Sequence, residues 1–447
     1  MARSYLLTLR LLATACSFGV ASLAANGPTS GSPLLPHEAL FDRVIAKPSA
    51  DEWQALAKFD GTLTRKEFQR RLDEIYDPSQ GLRPYLRFDG ERVLIFENLA
   101  QTVGPLVTLR FASPRSPQRP RPVSFRSPET FRAQKPAASA TPSAPLAGLR
   151  IAIEPADIGG RWAQLEDRSV MYSGYGRINE GDLNLTVGRI LRDNLRALGA
   201  DVFLIRDKAE PLLPYSPDQL MGEAEAFLQR ETILRTELLK NRGSAVPKNA
   251  DAQHRYAAGL LLTKTLETRA RVDLVRKSFV PDLTIVLQHN ATNDSGEGHI
   301  ATQNRNIFFV NGAYLPGELA DPQKRLRLLT KLLENTNPIE LTVAHEISQR
   351  FQVVTAYPPV LYGNSANTRI LRRDDPYVLA RNLAFNREHD GPVVVTEPYF
   401  MNHPDTLRRL LAGDYSGKKT ISGKLRPSIF REYADCVTEG ILKAYGK

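Results

Sequence analysis

Cysteine is almost absent: the 447 residues contain 2, Cys16 and Cys436. The first lies in a segment that reads as an export signal, so a processed chain keeps Cys436 alone. That excludes an intramolecular disulfide framework and a cysteine-rich metal site, and stability must come from packing. Long apolar runs are missing too. Beyond residues 6–20 no stretch approaches the roughly 20 residues needed to cross a bilayer, so no transmembrane span is expected in the mature chain. Helix-turn-helix, zinc-finger and RNA-binding signatures are absent, as are internal repeats, and nucleic acid is not an expected partner.

Charge is unbalanced but localised. Lysine and arginine number 59 against 49 aspartate and glutamate, a formal net charge of +10. Within residues 113–146, Arg115, Arg119, Arg121, Arg126, Arg132 and Lys135 face only Glu129, among recurring prolines. Such a segment cannot bury a core and is predicted to be an extended linker. It would either hold the protein near an anionic polymer or membrane surface or act as a soluble spacer.

The length allows two or three domains. Residues 1–25 read as a signal peptide: Arg3, a mostly apolar stretch from Leu6 to Val20, then small residues with Ser22-Leu23-Ala24 as the cleavage motif. Arg10 interrupts the apolar stretch and argues against a stable span. An alternative takes Ala13-Thr14-Ala15-Cys16 as a lipobox and anchors the protein through Cys16. The expected location is periplasmic or secreted. Residues 37–112 are predicted to form a small α+β domain of unassigned role. In it Thr64-Arg65-Lys66-Glu67 reads as a capping box, Phe68, Leu72 and Ile75 recur at helical spacing, and Asp89-Gly90 joins two strands as a hairpin.

After Gly148 strands and helices alternate. The expected class for residues 149–447 is α/β, a mixed, largely parallel sheet covered by helices. Leu149 to Ile153, Asp201 to Ile205, Leu283 to Leu287, Asn306 to Val310 and Val393 to Thr396 read as strands. Gly181 to Leu198 reads as an amphipathic helix, with Leu183, Val187, Leu191 and Leu195 on one face. Residues 217–267 read as a helical insertion broken at 241–250. Helices are also predicted at Pro322 to Glu334, Pro338 to Phe351 and Pro427 to Tyr445.

Chemistry-bearing residues fall at strand ends. Ligands of open α/β sheets bind beyond the carboxyl ends of the strands. There the first strand runs into Glu154-Pro155-Ala156-Asp157-Ile158-Gly159-Gly160. The all-apolar strand from Leu283 runs into His289, and Val393-Val394-Val395-Thr396 into Glu397. Glu180 precedes the long helix. Each has an ordinary structural alternative: Asp157 as a turn residue, Glu180 as a helix-dipole partner, His289 as a strand terminator, Glu397 as half of an ion pair. Together they offer three metal donors and a base, the set a hydrolytic zinc site requires.

These motifs resemble the zinc-dependent N-acetylmuramoyl-L-alanine amidases of the bacterial cell wall. The resemblance runs from about Leu149 to the C-terminus. It rests on the Glu154–Gly160 loop, Asn179-Glu180 with Asp182-Leu183-Asn184-Leu185, Asp282 to Ala291, and Glu397-Pro398-Tyr399-Phe400 with His403-Pro404-Asp405. It implies Zn2+ as cofactor, Glu180 and His289 as two metal ligands, and Glu397 as the catalytic acid/base. Peptidoglycan is the implied substrate, cleaved between N-acetylmuramic acid and L-alanine, and a regulatory protein is a candidate partner. The chain departs from the family at the first ligand. Asp157 stands where the family has His, and Ile158 is inserted before the glycines. Aspartate can ligate zinc, so the expected set is Asp157, Glu180 and His289; the alternative puts His299 in place of the lost ligand. The extra negative charge would weaken the metal as a Lewis acid. A slower amidase, and a domain that only binds peptidoglycan or regulates another hydrolase, are both kept as readings.

Overall fold

The computed structural model describes residues 47–115, 119–134, 144–230, 250–292, 298–362 and 365–446. The predicted signal peptide and lipobox lie outside these residues. So does the predicted break in the helical insertion, apart from Ala250.

Strands β1 (Leu86–Asp89), β2 (Arg92–Ile95) and β3 (Val107–Arg110) form a small antiparallel sheet, with β1 and β2 joined at the expected hairpin. Helix α1 (Arg65–Arg71) packs on it. Thr64 caps that helix by accepting the Glu67 N–H at 3.2 Å. Only half of the predicted capping box forms, because the Glu67 carboxylate turns to Arg70 and Arg71 instead. The described part of the predicted small domain, residues 47–112, packs against a helix of the larger domain. Phe68, Leu72 and Ile75 share one apolar cluster with Leu326, Leu329 and Leu333. Those leucines belong to a helix at Pro322–Glu334, which has the predicted bounds.

The large sheet is mixed and mostly parallel, as expected. It contains β4 (Arg150–Pro155), β7 (Asp201–Leu204), β8 (Leu283–Leu287), β9 (Asn306–Val310), β10 (Arg369–Ile370), β11 (Val378–Ala380) and β12 (Val393–Pro398). A separate hairpin, β5 (Ser169–Tyr172) and β6 (Gly176–Asn179), lies between β4 and β7 in the chain. The large sheet's order is β10-β11-β9-β12-β8-β4-β7. Strand β8 is parallel to both β4 and β12, whereas β9 runs antiparallel to β12.

All five residues of β8 are buried. A strand of aliphatic and β-branched residues buried along its whole length needs cover on both faces, and two apolar clusters supply it. Ile285, Leu287, Ile151, Ile153 and Val394 face Val187, Leu191, Leu195, Ile347 and Ile441. These belong to helices α2 (Glu180–Ala197), α3 (Asn337–Thr355) and α4 (Ile429–Tyr445). Val286, Val393 and Val395 face the opposite side with Ile307 and Phe309. Each fully buried Leu or Val on α2 contributes about 1.5–3 kcal/mol.

The segment predicted as a coreless linker is corrected in part. Pro128–Gln134 is a short helix whose Phe131 is buried against Tyr445, ring centroids 5.8 Å apart. Average composition hid one aromatic anchor and one buried ion pair, Arg126 with Asp282 at 2.5 Å. Among the described residues, no helix is long and apolar enough to cross a membrane.

Candidate functional site

Sheet register sets the site. Pro155 of β4 pairs with Leu287 of β8, and Leu287 with Thr396 of β12. The three strands therefore end level. Asp157 follows two residues after Pro155, His289 two after Leu287, and Glu397 one after Thr396. Glu180 arrives from below as the first residue of α2, at the positive end of the helix dipole. The loop after β4 crosses that helix end with backbone against backbone. A Cβ on Gly181 would stand 2.4 Å from the Gly159 nitrogen, so glycine is required at the crossing. The Gly160 N–H donates to Asp182 Oδ1 at 2.8 Å and seals it.

His289 is buried and its tautomer is fixed. Asn184 Nδ2 donates to the Ala156 carbonyl at 2.8 Å, which turns Asn184 Oδ1 toward the imidazole. His289 Nδ1 then donates to Oδ1 at 2.8 Å, and Nε2 keeps its lone pair. Burial pushes the imidazole down to about 3, so it is neutral at any physiological pH. The His289 backbone N–H donates to Glu180 Oε1 at 3.2 Å and ties strand end to helix start.

Asp157 sits at φ +60°, a left-handed conformation that aspartate tolerates better than most residues. Its backbone is braced by Arg206, which donates to the Asp157 and Pro155 carbonyls. Glu166 accepts the Ile158 and Gly159 N–H groups at 2.7 and 3.2 Å. The Asp157 side chain meets two cations. Lys264 Nζ lies 2.6 Å from Oδ1 and Arg168 Nε 3.5 Å from the same oxygen. Arg168 Nε also stands 3.5 Å from Glu180 Oε2, so it bridges the two carboxylates.

The acids differ in proton affinity. Burial would raise Asp157, but the charges of Lys264 and Arg168 outweigh it and hold the carboxyl below its usual value. Burial raises Glu180 to about 8, helped by the negative charge of Asp157 and opposed by Arg168. Burial raises Glu397 to about 7, against the pull of Arg381 and Arg168 and with help from Asp157. Glu397 and Glu180 are thus carboxyls that change charge near neutral pH, a feature common at working sites.

The four predicted residues converge, but the donors do not form a metal chelate. Among the described residues, no group of three His, Cys, Asp or Glu side chains is arranged to hold a metal ion. Asp157 Oδ1 is taken by Lys264, and both Glu180 oxygens have protein partners. His299 does not replace the missing donor: it joins no such group, and its carbonyl accepts from Asn402 at 2.9 Å. As arranged, this donor set does not fit zinc. Sequence reasoning missed Lys264, Arg168, Glu166 and Arg381. Lys264 is one lysine in a long helical insertion, and only the tertiary contact distinguishes it.

No family model matches this chain, and no curated protein matches it. Solved structures do. An N-acetylmuramyl-L-alanine amidase, Ami1 from Mycobacterium smegmatis, is 14% identical over 67% of this chain and 98% of its own, with TM-score 0.33. AmiC2 of Nostoc punctiforme, also titled an N-acetylmuramoyl-L-alanine amidase, is 11% identical over 66% and 97%, with TM-score 0.34. Cwp6 from Clostridium difficile is 14% identical over 67% of this chain, with TM-score 0.31, and the match spans only 29% of the Cwp6 chain. Similarity at this level assigns neither family membership nor activity.

Proposed function

We propose that the domain from about residue 149 onward is directed at bacterial peptidoglycan and recognises the muramyl-peptide amide in the cleft beyond β4, β8 and β12. The motifs that resemble the cell-wall amidases support this, because Asp157, Glu180, His289 and Glu397 lie at one edge of one sheet. Export through residues 1–25, with Cys16 as the alternative anchor, and a regulatory protein partner belong to the same proposal.

One observation supports recognition over cleavage. The Asp157 carboxylate is engaged by Lys264 at 2.6 Å and shares Arg168 with Glu180. Two fixed cations stand where a hydrolytic metal would need free donors. The reading is therefore recognition of the glycopeptide with amide turnover slow or absent. A second reading, hydrolysis between N-acetylmuramic acid and L-alanine, draws on Glu397. A carboxyl raised to about 7 is suited to general base work near neutral pH.

The test uses purified sacculi and the mature protein. Co-sedimentation with sacculi, and stem peptides that remain attached by mass spectrometry, are expected. Release of stems with free L-alanine amino termini, lost in Glu397→Gln, would establish the second reading. Absence of both binding and release would refute the proposal.

A further inference from the structure

The cation pairing of Asp157 is built into the fold. Lys264 lies in a π-helical turn, Leu261–Leu266, between helices Ala250–Leu260 and Glu267–Ser278. Such turns shift the direction in which side chains project. One helical turn later Glu267 anchors the segment. It accepts the Leu212 N–H at 2.9 Å and the Arg271 Nε–H at 2.9 Å. Arg271 in turn donates to Glu154 on β4 at 2.9 Å. This chain of buried contacts sets the position of Lys264 relative to the loop that carries Asp157.

The carboxylate oxygens of Asp157 and Glu180 can be followed one by one. Asp157 Oδ1 receives Lys264 and Arg168. Glu180 Oε2 receives Arg168, and Oε1 receives the His289 N–H. Asp157 Oδ2 is buried with no hydrogen-bond partner. One such oxygen and one imidazole nitrogen fall short of the three donors that a zinc site needs. A divalent ion brought to Asp157 would also meet the ammonium and the guanidinium at close range, and like charges repel strongly in a buried site.

We infer that Lys264 and Arg168 supply, as side-chain cations, the positive charge a divalent metal would bring to Asp157 and Glu180, so that this cleft has no resident metal ion. The inference concerns the cleft assigned above to muramyl-peptide recognition. Its test uses zinc alone, so its failure is distinguishable from failure of that assignment.

The full mature chain is dialysed against zinc, and bound metal is measured by elemental analysis. Wild type is expected to hold well below one zinc per chain, and its melting temperature is expected not to move with zinc. Lys264→Met keeps the side chain's length, removes the ammonium and leaves Asp157 Oδ1 with Arg168 alone, at 3.5 Å. It should bind zinc about tenfold more tightly or better. Lys264→Arg should behave as wild type. Stoichiometric zinc in wild type would overturn the inference, and that result needs no variant to fold. Equal zinc affinity in wild type and a folded Lys264→Met would overturn it as well.

Discussion

At the amino edge of the large sheet, Asp282 accepts six hydrogen bonds, three from Arg126 and three from Arg150. Burial alone would raise its pKa, but those bonds hold the carboxyl below its usual value. At the carboxyl edge of the same sheet, Glu180 and Glu397 are raised to about 8 and about 7. One edge stabilises a buried negative charge; the other leaves two acids poorly compensated. A fold gains nothing in stability from the second arrangement, and such raised acids are common at working sites. The amino edge is structural: its arginines fasten the segment before β4 to the sheet.

Breaking the structural edge should have the largest effect. Asp282→Ala leaves two arginines partly buried without their partner. It is expected to cost about 3 kcal/mol, the low end for a broken buried pair because both arginines keep some exposure to water. A lowered urea midpoint would show it. Phe131→Ala removes the aromatic anchor of the same segment and should cost about 3 kcal/mol or slightly less. Limited proteolysis should then cut within residues 113–146 faster than in wild type. An unchanged cleavage rate would mean that Phe131 does not hold the segment.

The carboxyl edge should answer pH with the opposite sign. An acid raised on folding binds its proton more tightly in the folded state. Its favourable contribution is present below its unfolded value and is lost as pH rises through the folded one. For Glu397 that window runs from 4.5 to about 7. Glu397→Gln should therefore stabilise the protein at pH 8 by about 1–3 kcal/mol and leave it unchanged at pH 4. Urea midpoints at the two pH values measure this. Asp282 behaves conversely: its contribution is present above its unfolded value and is lost as pH falls through the lowered folded one. The smallest effect sharpens the comparison most. A chelator should leave the melting temperature unchanged, because neither edge relies on a bound metal for its charge balance. A drop in melting temperature with chelator would place a metal at the carboxyl edge and reverse the charge argument.

Much of the architecture was legible in the chain. The alternation of apolar strands with an amphipathic helix predicted a mixed, largely parallel sheet, and Asn306–Val310 and Pro322–Glu334 have the expected bounds. Strand ends followed by Asp157, His289 and Glu397 identified one edge, because strands of similar length in parallel register end together. Short elements escaped notice. Strand β11 has three residues, β10 has two, and the helix Pro128–Gln134 sits in a proline-rich background, so none has enough periodicity to read.

By itself the sequence determined the class of fold, the sheet edge at which Asp157, Glu180, His289 and Glu397 gather, and the residue types found there. Apolar periodicity and strand order are local properties, and they carry that information. Only the tertiary structure decided the charge state of the gathering. Lys264 lies 107 residues from Asp157 in the chain, yet its Nζ is 2.6 Å away. Arg168 stands beside Glu180 through the β5–β6 hairpin, where Ser169 pairs with Asn179 and the Glu180 N–H donates to the Arg168 carbonyl at 3.0 Å. Electrostatic interaction depends on distance in space, and no spacing rule in the sequence encodes the approach of Lys264 to Asp157.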